Sequence, residues 1–114
     1  MLLLTSTNDR LQIITSAAVP VTVHTSWVDT SAGAIVPGRT NTTITTSTTT
    51  SVAGAPAAAT QRNIKTIHLR NTHSTLPCDI TVQHTDGAIT SQLYKTTINA
   101  GGAMQYTDQA GFWP

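Results

Sequence analysis

Apolar and polar residues alternate along much of the chain with a period of two, which is the period of strands. In residues 19–26, three valines fall on one face and most of the other positions are polar. Residues 78–85 repeat this alternation and end at the turn pair Asp86-Gly87. The pattern predicts strands with one buried face, and Asp-Gly between two such runs predicts a hairpin.

Shorter runs complete the pattern. Residues 11–14 form a short, mostly apolar run, and residues 88–98 form a returning strand. Residues 64–70 alternate imperfectly, which predicts a bulge near their start. Residues 31–38 hold two glycines and a proline and are predicted to be a loop or a hairpin connection. Turn residues recur about every ten positions without a helical period. The sequence therefore predicts an all-β fold: a single antiparallel β-sandwich, jelly-roll-like, of about seven or eight short strands in one domain over residues 1–114.

A threonine-rich segment, TNTTITTSTTTSVAGAPAAAT over residues 40–60, allows two interpretations. A disordered, sugar-decorated linker of the mucin type would carry proline among its hydroxyl groups, but its first twelve residues contain none. Threonine is β-branched and favours extended backbone. Residues 40–52 are therefore predicted to form an ordered strand with Ile44 and Val52 on one face, followed by a loop.

This predicted strand has few apolar residues and lacks the lysine or internal proline that blunts an exposed edge. We expect it to be paired within a sheet or covered by another copy of the chain, where cross-strand threonine pairs contribute roughly 0.2–1 kcal/mol each. The alternative is a long exposed strand in a monomer.

Both ends of the sequence are apolar. Residues 1–9 contain three consecutive leucines and are predicted to be either an N-terminal arm against a neighbouring subunit or a first edge strand. Residues 110–114 contain two adjacent aromatic residues, which either fold back against the sandwich or anchor the chain on a partner. The predicted interface residues are Leu2, Leu3, Leu4, Ile44, Thr46, Thr48, Phe112 and Trp113.

The composition limits the function. Charged residues make up 10% of the chain and the formal net charge is +1, so the basic surface that nucleic-acid binding requires is not expected. Threonine occurs 24 times and glutamate is absent, which favours strands. Cys78 is the single cysteine, so neither a disulfide nor a cysteine-based zinc site is expected. No leader peptide or membrane-spanning segment is expected either.

The sequence lacks catalytic and metal-binding motifs. The four histidines do not show the spacing of a metal motif, so no metal or other cofactor is expected. No serine lies in a G-x-S-x-G turn, no phosphate-binding loop occurs, and the five acidic residues, all aspartate, fall mostly in predicted turns. An enzyme is therefore not expected. Trp27 with Tyr94 or Tyr106 is a candidate sugar-binding platform, although core packing explains these aromatic residues as well.

The part of the chain from Ile64 onward resembles a known class of proteins. The stretches IHLRNTHSTLPCDITVQHTDG and LYKTTINAGGAMQYTDQAGFWP resemble small β-sandwich virion proteins of tailed bacteriophages, in particular the head decoration or cement proteins. The resemblance implies a protein without catalytic activity, made in the host cytoplasm, that binds the outside of the capsid, often as a trimer, and stabilises contacts between capsid subunits. Its implied partner is the major capsid protein or another virion protein, and its implied location is the virion.

Two other functions stay open at the level of sequence. One is a host-glycan-binding module carried on a virion fibre or spike, and the other is a tail, neck or fibre connector of low copy number. A decoration protein is expected to bind assembled shells and raise their resistance to heat. An attachment module is expected to bind host polysaccharide as an isolated protein.

Overall fold

The computed structural model describes all 114 residues, Met1 to Pro114, and contains ten strands and no helix. The strands are β1 (Leu2–Leu4), β2 (Arg10–Thr15), β3 (Val21–Ser31), β4 (Ala34–Ile44), β5 (Thr49–Ala53), β6 (Gln61–Asn71), β7 (Cys78–Thr85), β8 (Thr90–Ile98), β9 (Ala103–Thr107) and β10 (Gly111–Trp113). The all-β prediction is confirmed. There are more strands than predicted because β1 and β10 are only three residues long and the threonine-rich segment contributes to two strands. No helix suited to crossing a membrane is present.

The strands form two antiparallel sheets that pack face to face. The larger sheet has the order β10-β9-β6-β3-β4, and β1 pairs with residues 62–64 of β6, beside the part of β6 that pairs with β9. The smaller sheet has the order β5-β2-β7-β8. The pairings β2–β7 and β3–β6 are nested along the chain, as in a long hairpin that has been rolled up. The predicted antiparallel β-sandwich is confirmed.

Alternate residues of both sheets point into one shared core. Val21 and Val23 of β3 and the first three alternate residues of β7 are buried there, as their alternation predicts. In β6 the alternation is interrupted at Lys65, because Thr66 and Ile64 pair with consecutive residues of β3. This bulge was predicted near the start of the strand, and it brings Ile64 to the same face as Ile67.

The threonine-rich segment is ordered, but it is not one strand. β4 ends at Ile44, residues 45–48 cross from one sheet to the other, and β5 begins at Thr49. Ile44 lies in the larger sheet and Val52 in the smaller one, and both are buried between the sheets. The prediction of a single strand over residues 40–52 is wrong because one strand would bury both side chains against one sheet, whereas the crossing places one on each wall of the core.

Thr15, the last residue of β2, fixes this crossing. Its buried hydroxyl group donates to the carbonyl oxygen of Thr46 at 2.6 Å, and the N–H of Thr48 donates to the hydroxyl oxygen at 3.2 Å. The N–H of Thr15 donates to the carbonyl oxygen of Thr48 at 2.9 Å, and the hydroxyl of Ser47 donates to the carbonyl oxygen of Thr15 at 3.2 Å. These bonds satisfy backbone groups that have no strand partner.

The connection between β3 and β4 is shorter than predicted. Only Ala32 and Gly33 form the turn, and β4 begins at Ala34, whereas the sequence predicts a connection over residues 31–38. Both turn residues have positive φ, 30° and 87°, as a type I′ hairpin turn requires. The proline that signals a loop in the sequence lies inside β4, an outermost strand in which proline is tolerated.

Candidate interaction surface

β4 is the outermost strand of the larger sheet, and one of its two edges has no partner. The two-residue turn makes Ser31 and Ala34 a hydrogen-bonded pair, and in an antiparallel ladder such pairs alternate with non-bonded pairs. The even-numbered residues of β4 therefore bond to β3. The odd-numbered residues direct their backbone N–H and C=O groups to the open edge.

Pro37 occupies one of these outward positions. Because proline has no N–H, it interrupts pairing near the hairpin turn without removing a bond to β3. Arg39, Asn41 and Thr43 keep outward N–H groups, to which an extended segment of another chain can bond. The continuous unpaired edge is therefore residues 38–44 of β4, which we call the β4 edge.

The other free strand edges are shorter or interrupted. β10 and β5 have three and five residues. β8 has nine residues, but Leu93 is an extra residue opposite β7, and Lys95 adds a charge. A bulge and a lysine are features that keep edge strands from pairing with other chains. β4 has no bulge and no lysine, and although it contains Pro37 and Arg39, its residues 38–44 form a continuous free edge.

Apolar side chains are exposed at the end of the larger sheet where β4 begins. Ile35 and Val36 are 72% and 57% exposed at the start of β4, and Leu3 of β1 is 41% exposed. Leu3 and Pro37 lie in one row across the outer face of the sheet, joined through their partners in β6 and β3. The exposed apolar area therefore adjoins one end of the β4 edge, on the other side of Pro37, and interfaces between proteins combine polar and apolar groups in this way.

The predicted interface residues separate into buried and exposed groups. Leu4 and Ile44 are 0% and 3% exposed, so the prediction that they contact a partner is wrong in this fold. Both side chains lie on the inner face of the larger sheet, in the core. Leu2 is half-buried and packs against the core, while Leu3 points outward. Residues 2–4 form an edge strand along β6 rather than an arm.

Thr46 and Thr48 belong to the crossing between the sheets rather than to a strand. Their side chains are exposed, whereas their carbonyl groups accept hydrogen bonds from Thr15. Their hydroxyl groups therefore remain on the surface beside the β4 edge.

Phe112 folds back and closes the side of the sandwich opposite β4 and β5. Its ring is stacked on Tyr94 of the smaller sheet, with a centroid distance of 5.1 Å and an interplanar angle of 7°. It also packs at 4.8 Å against Tyr106 of the larger sheet, so one ring joins the two sheets. Trp113 lies on the opposite, outer face with a half-buried side chain. Of the two alternatives for the aromatic pair, Phe112 therefore folds back against the sandwich, whereas Trp113 points outward.

The aromatic residues considered as a sugar platform do not share a surface. Tyr106 is 5% exposed, and the ring of Tyr94 is stacked within the side of the sandwich. One face of Trp27 is covered by the guanidinium group of Arg62, 4.4 Å from the ring centre. Arg62 is held in that position by Asp29, whose two carboxylate oxygens accept its Nε–H and Nη2–H at 2.8 and 3.0 Å.

Asp9 is a buried carboxylate in the loop between β1 and β2, with 4% of its surface exposed. Its Oδ2 accepts the backbone N–H groups of Thr5 and Ser6 at 2.6 and 3.1 Å, and its Oδ1 accepts the hydroxyl of Ser6 at 3.0 Å. Burial by itself would raise the pKa of Asp9. The hydrogen bonds and the nearby His84 lower the pKa by more than burial raises it, so it lies below the ordinary 3.8.

A second ionic contact joins β6 to the turn after β9. Lys65 Nζ donates to Asp108 Oδ2 at 3.0 Å, and this hydrogen bond lowers the pKa of the Asp108 carboxyl. Burial raises the pKa of the Tyr106 hydroxyl, and the Asp108 carboxylate adds to that increase. The other carboxylate oxygen of Asp108 lies 3.6 Å from the N-terminal amino group of Met1, so this side chain links β6, the turn after β9 and the start of the chain.

The fold contains no pocket that could enclose a small molecule, and no three histidine, cysteine or aspartate side chains converge on one point to hold a metal ion. The β4 edge, with the apolar residues beside it, is the surface feature that most favours binding of another protein. No protein-family model, characterised protein or solved structure matches this chain.

Proposed function

We propose that this protein is a non-enzymatic structural protein of a bacteriophage virion, which binds the outside of the capsid as a decoration protein and stabilises contacts between capsid subunits. The proposal rests on the resemblance from Ile64 onward and on one structural observation, the unpaired β4 edge. A regular edge without a bulge is a template for pairing with another chain, and proteins that function alone usually protect such edges. On β4 this protection is limited to Pro37 and the single charge of Arg39, which leave residues 38–44 continuous.

Hydrogen bonds at this edge give direction to the contact but not all of its free energy. Each bond contributes a net ~0.5–1.5 kcal/mol, so the few outward groups of Arg39, Asn41 and Thr43 supply only a few kcal/mol. Association itself costs about 4–15 kcal/mol. Burial of the exposed apolar side chains of Ile35 and Leu3 must therefore add to the backbone bonds.

In this proposal the protein acts as a homo-oligomer, and the resemblance to decoration proteins implies a trimer. Its partner is the major capsid protein or another virion protein. Each subunit then offers one β4 edge on one side of the sandwich and Trp113 on the outer face near the other side. Two contact regions on opposite sides of one rigid sandwich allow a single subunit to join two neighbours.

Binding to particles that lack this protein tests the proposal. Purified chain is mixed with such shells of the phage that encodes it, and co-sedimentation and the temperature of shell disruption are measured. Wild-type chain is expected to bind at many copies per shell and to raise the disruption temperature. Binding to isolated host polysaccharide without binding to shells would favour an attachment module instead, and binding confined to one vertex would favour a connector.

Two proline variants separate the edge from the rest of the surface. Thr43→Pro removes an N–H that points to the open edge, so shell binding is expected to fall while the fold is kept. Thr43→Ala retains that N–H and is expected to bind. Thr42→Pro removes an N–H that bonds to β3 and is expected to destabilise the fold itself. Unchanged binding of Thr43→Pro would exclude the β4 edge as the contact.

A further inference from the structure

Two histidines face each other on the outer surface of the larger sheet. His24 of β3 and His68 of β6 are direct partners in the antiparallel register, and the buried residues on either side of each point the other way, into the core. Directly opposite residues in such a ladder have Cβ atoms about 4.5–5.5 Å apart. Two imidazole rings at that spacing can both reach one ion, because metal–nitrogen bonds are about 2.0–2.1 Å long.

Asn41 orients the ring of His24 and fixes its tautomer. Nδ1 of His24 lies 2.7 Å from Oδ1 of Asn41, its register partner in β4. A carbonyl oxygen can only accept, so this bond requires the proton to be on Nδ1. The lone pair of the neutral ring is then on Nε2, which makes no hydrogen bond within the chain. A polar neighbour that fixes the tautomer of a histidine in this way is a regular feature of metal sites.

The other two histidines are each engaged by neighbouring groups within the chain. Nδ1 of His73 accepts the backbone N–H groups of Thr75 and Leu76, each at 3.0 Å, so that its lone pair is already used. Nε2 of His84 is buried and faces the carboxylate of Asp9 at 3.7 Å. His24 and His68 are therefore the pair that can act together.

We propose that His24 and His68 form a surface site for one late first-row divalent transition-metal ion, with water completing its coordination. Imidazole nitrogen binds Ni²⁺ and Cu²⁺ well, and affinity rises toward Cu²⁺ in this series. Arg70 lies on the same face two residues from His68, and no carboxylate is a register neighbour of either histidine. Hard cations such as Ca²⁺, which require oxygen ligands, are excluded.

Calorimetric titration of the full, untagged chain with Ni²⁺ alone tests the site. One ion per chain is expected to bind at neutral pH, and Ni²⁺ is expected to raise the unfolding temperature because it binds the folded state. Ca²⁺ is expected to have no effect. Failure to bind Ni²⁺ at millimolar concentration, or binding of Ca²⁺ at the same place, would overturn the proposal.

Variants at exposed positions identify the ligands without disturbing the core. His24→Gln and His68→Gln are each expected to weaken Ni²⁺ binding by roughly 10-fold or more, and Asn41→Ala by a similar factor, as loss of an orienting partner does in natural sites. His73→Gln is the matched control and is expected to bind as the wild type does. Binding that survives in the double variant of His24 and His68 would show adventitious coordination elsewhere and contradict the assignment.

Discussion

Gly38 of β4 lies against the indole ring of Trp27, its register partner in β3, so closely that a Cβ atom at residue 38 would come 2.7 Å from Nε1 and 2.9 Å from Cε2 of the ring. The ring cannot easily retreat, because its other surroundings include the guanidinium group of Arg62. A glycine inside a strand usually weakens it, but here glycine leaves the space that the indole occupies.

Gly38→Ala is therefore expected to destabilise the protein. Overpacking of this kind typically costs about 1–3 kcal/mol, and any shift of Trp27 would also weaken its contact with Arg62. Chemical denaturation followed by tryptophan fluorescence measures both effects. Gly54→Ala is the matched control, since a Cβ there meets no atom within 4 Å, and its stability is expected to stay near that of the wild type. Equal stability of both variants would contradict the packing described for Trp27.

Two neighbouring aromatic residues are expected to differ in their effect on stability. Phe112→Ala removes the ring that joins Tyr94 to Tyr106, so the isolated chain is expected to lose about 2 kcal/mol, somewhat less than for a fully buried phenylalanine. Trp113→Ala leaves that stack in place and is expected to change the unfolding free energy little, while weakening attachment to a partner. Thermal unfolding of both variants tests this, and a larger loss for Trp113→Ala would reverse the assignment.

The crossing between the sheets depends on one hydroxyl group. Thr15→Val keeps the shape of the side chain but leaves the carbonyl of Thr46 and the N–H of Thr48 without their partner, and it is expected to cost about 1–3 kcal/mol. Thr25 offers a close control, because its hydroxyl is equally buried and has no hydrogen-bond partner. Thr25→Val is expected to be neutral or stabilising.

The two valine variants are compared by urea denaturation at one pH. Thr15→Val is expected to be clearly less stable than Thr25→Val. Similar losses in both would mean that the hydroxyl of Thr15 does not hold the crossing.

Asp9 makes stability depend on pH at the acid end. Because its pKa in the folded state is lowered from 3.8, the ionised form contributes stability that is fully present above that value and is lost as the pH falls toward the folded-state pKa. Asp9→Asn is expected to be less stable at neutral pH by about 1–3 kcal/mol and to depend less on pH below about pH 4. Identical acid sensitivity of wild type and variant would rule out this role.

Asp86 is the control for this prediction. The backbone N–H groups of Ile89 and Ala88 lower the pKa of its carboxyl in the same direction, but this side chain is exposed to solvent. Asp86→Asn is therefore expected to change the acid dependence less than Asp9→Asn does.

The fold was predictable where apolar residues are frequent enough to define a face. The valines at positions 19, 21 and 23 alternate regularly, as do the residues of β7, and even the bulge in β6 could be inferred because Ile64 falls out of step with Ile67. The division of the threonine-rich segment could not be predicted in this way. Threonine suits either face of a sheet, so only Ile44 and Val52 indicate which positions are buried. Two buried positions do not show whether they belong to one sheet or to two.

The candidate site was found only in part. The threonine-rich segment indicated an edge that needs shelter, but Thr46 and Thr48 fall in the crossing rather than on that edge. Arg39 was missed because it directly follows Pro37 and Gly38, a pair typical of a loop, whereas Asn41 lay inside the predicted strand but was not assigned to the interface. Proline inside a strand is permitted only where its nitrogen faces an open edge, and that condition becomes visible only when the partner strand is known.

Amide hydrogen exchange in β4 tests the central claim most directly, because its residues alternate in where their N–H groups point. In the isolated chain, the N–H groups of Arg39, Asn41 and Thr43 are expected to exchange fast and those of Thr40 and Thr42 slowly. In the assembled particle, the account predicts that the three fast groups become protected as another chain pairs with the β4 edge. Fast exchange at these three positions in the assembled particle would contradict it.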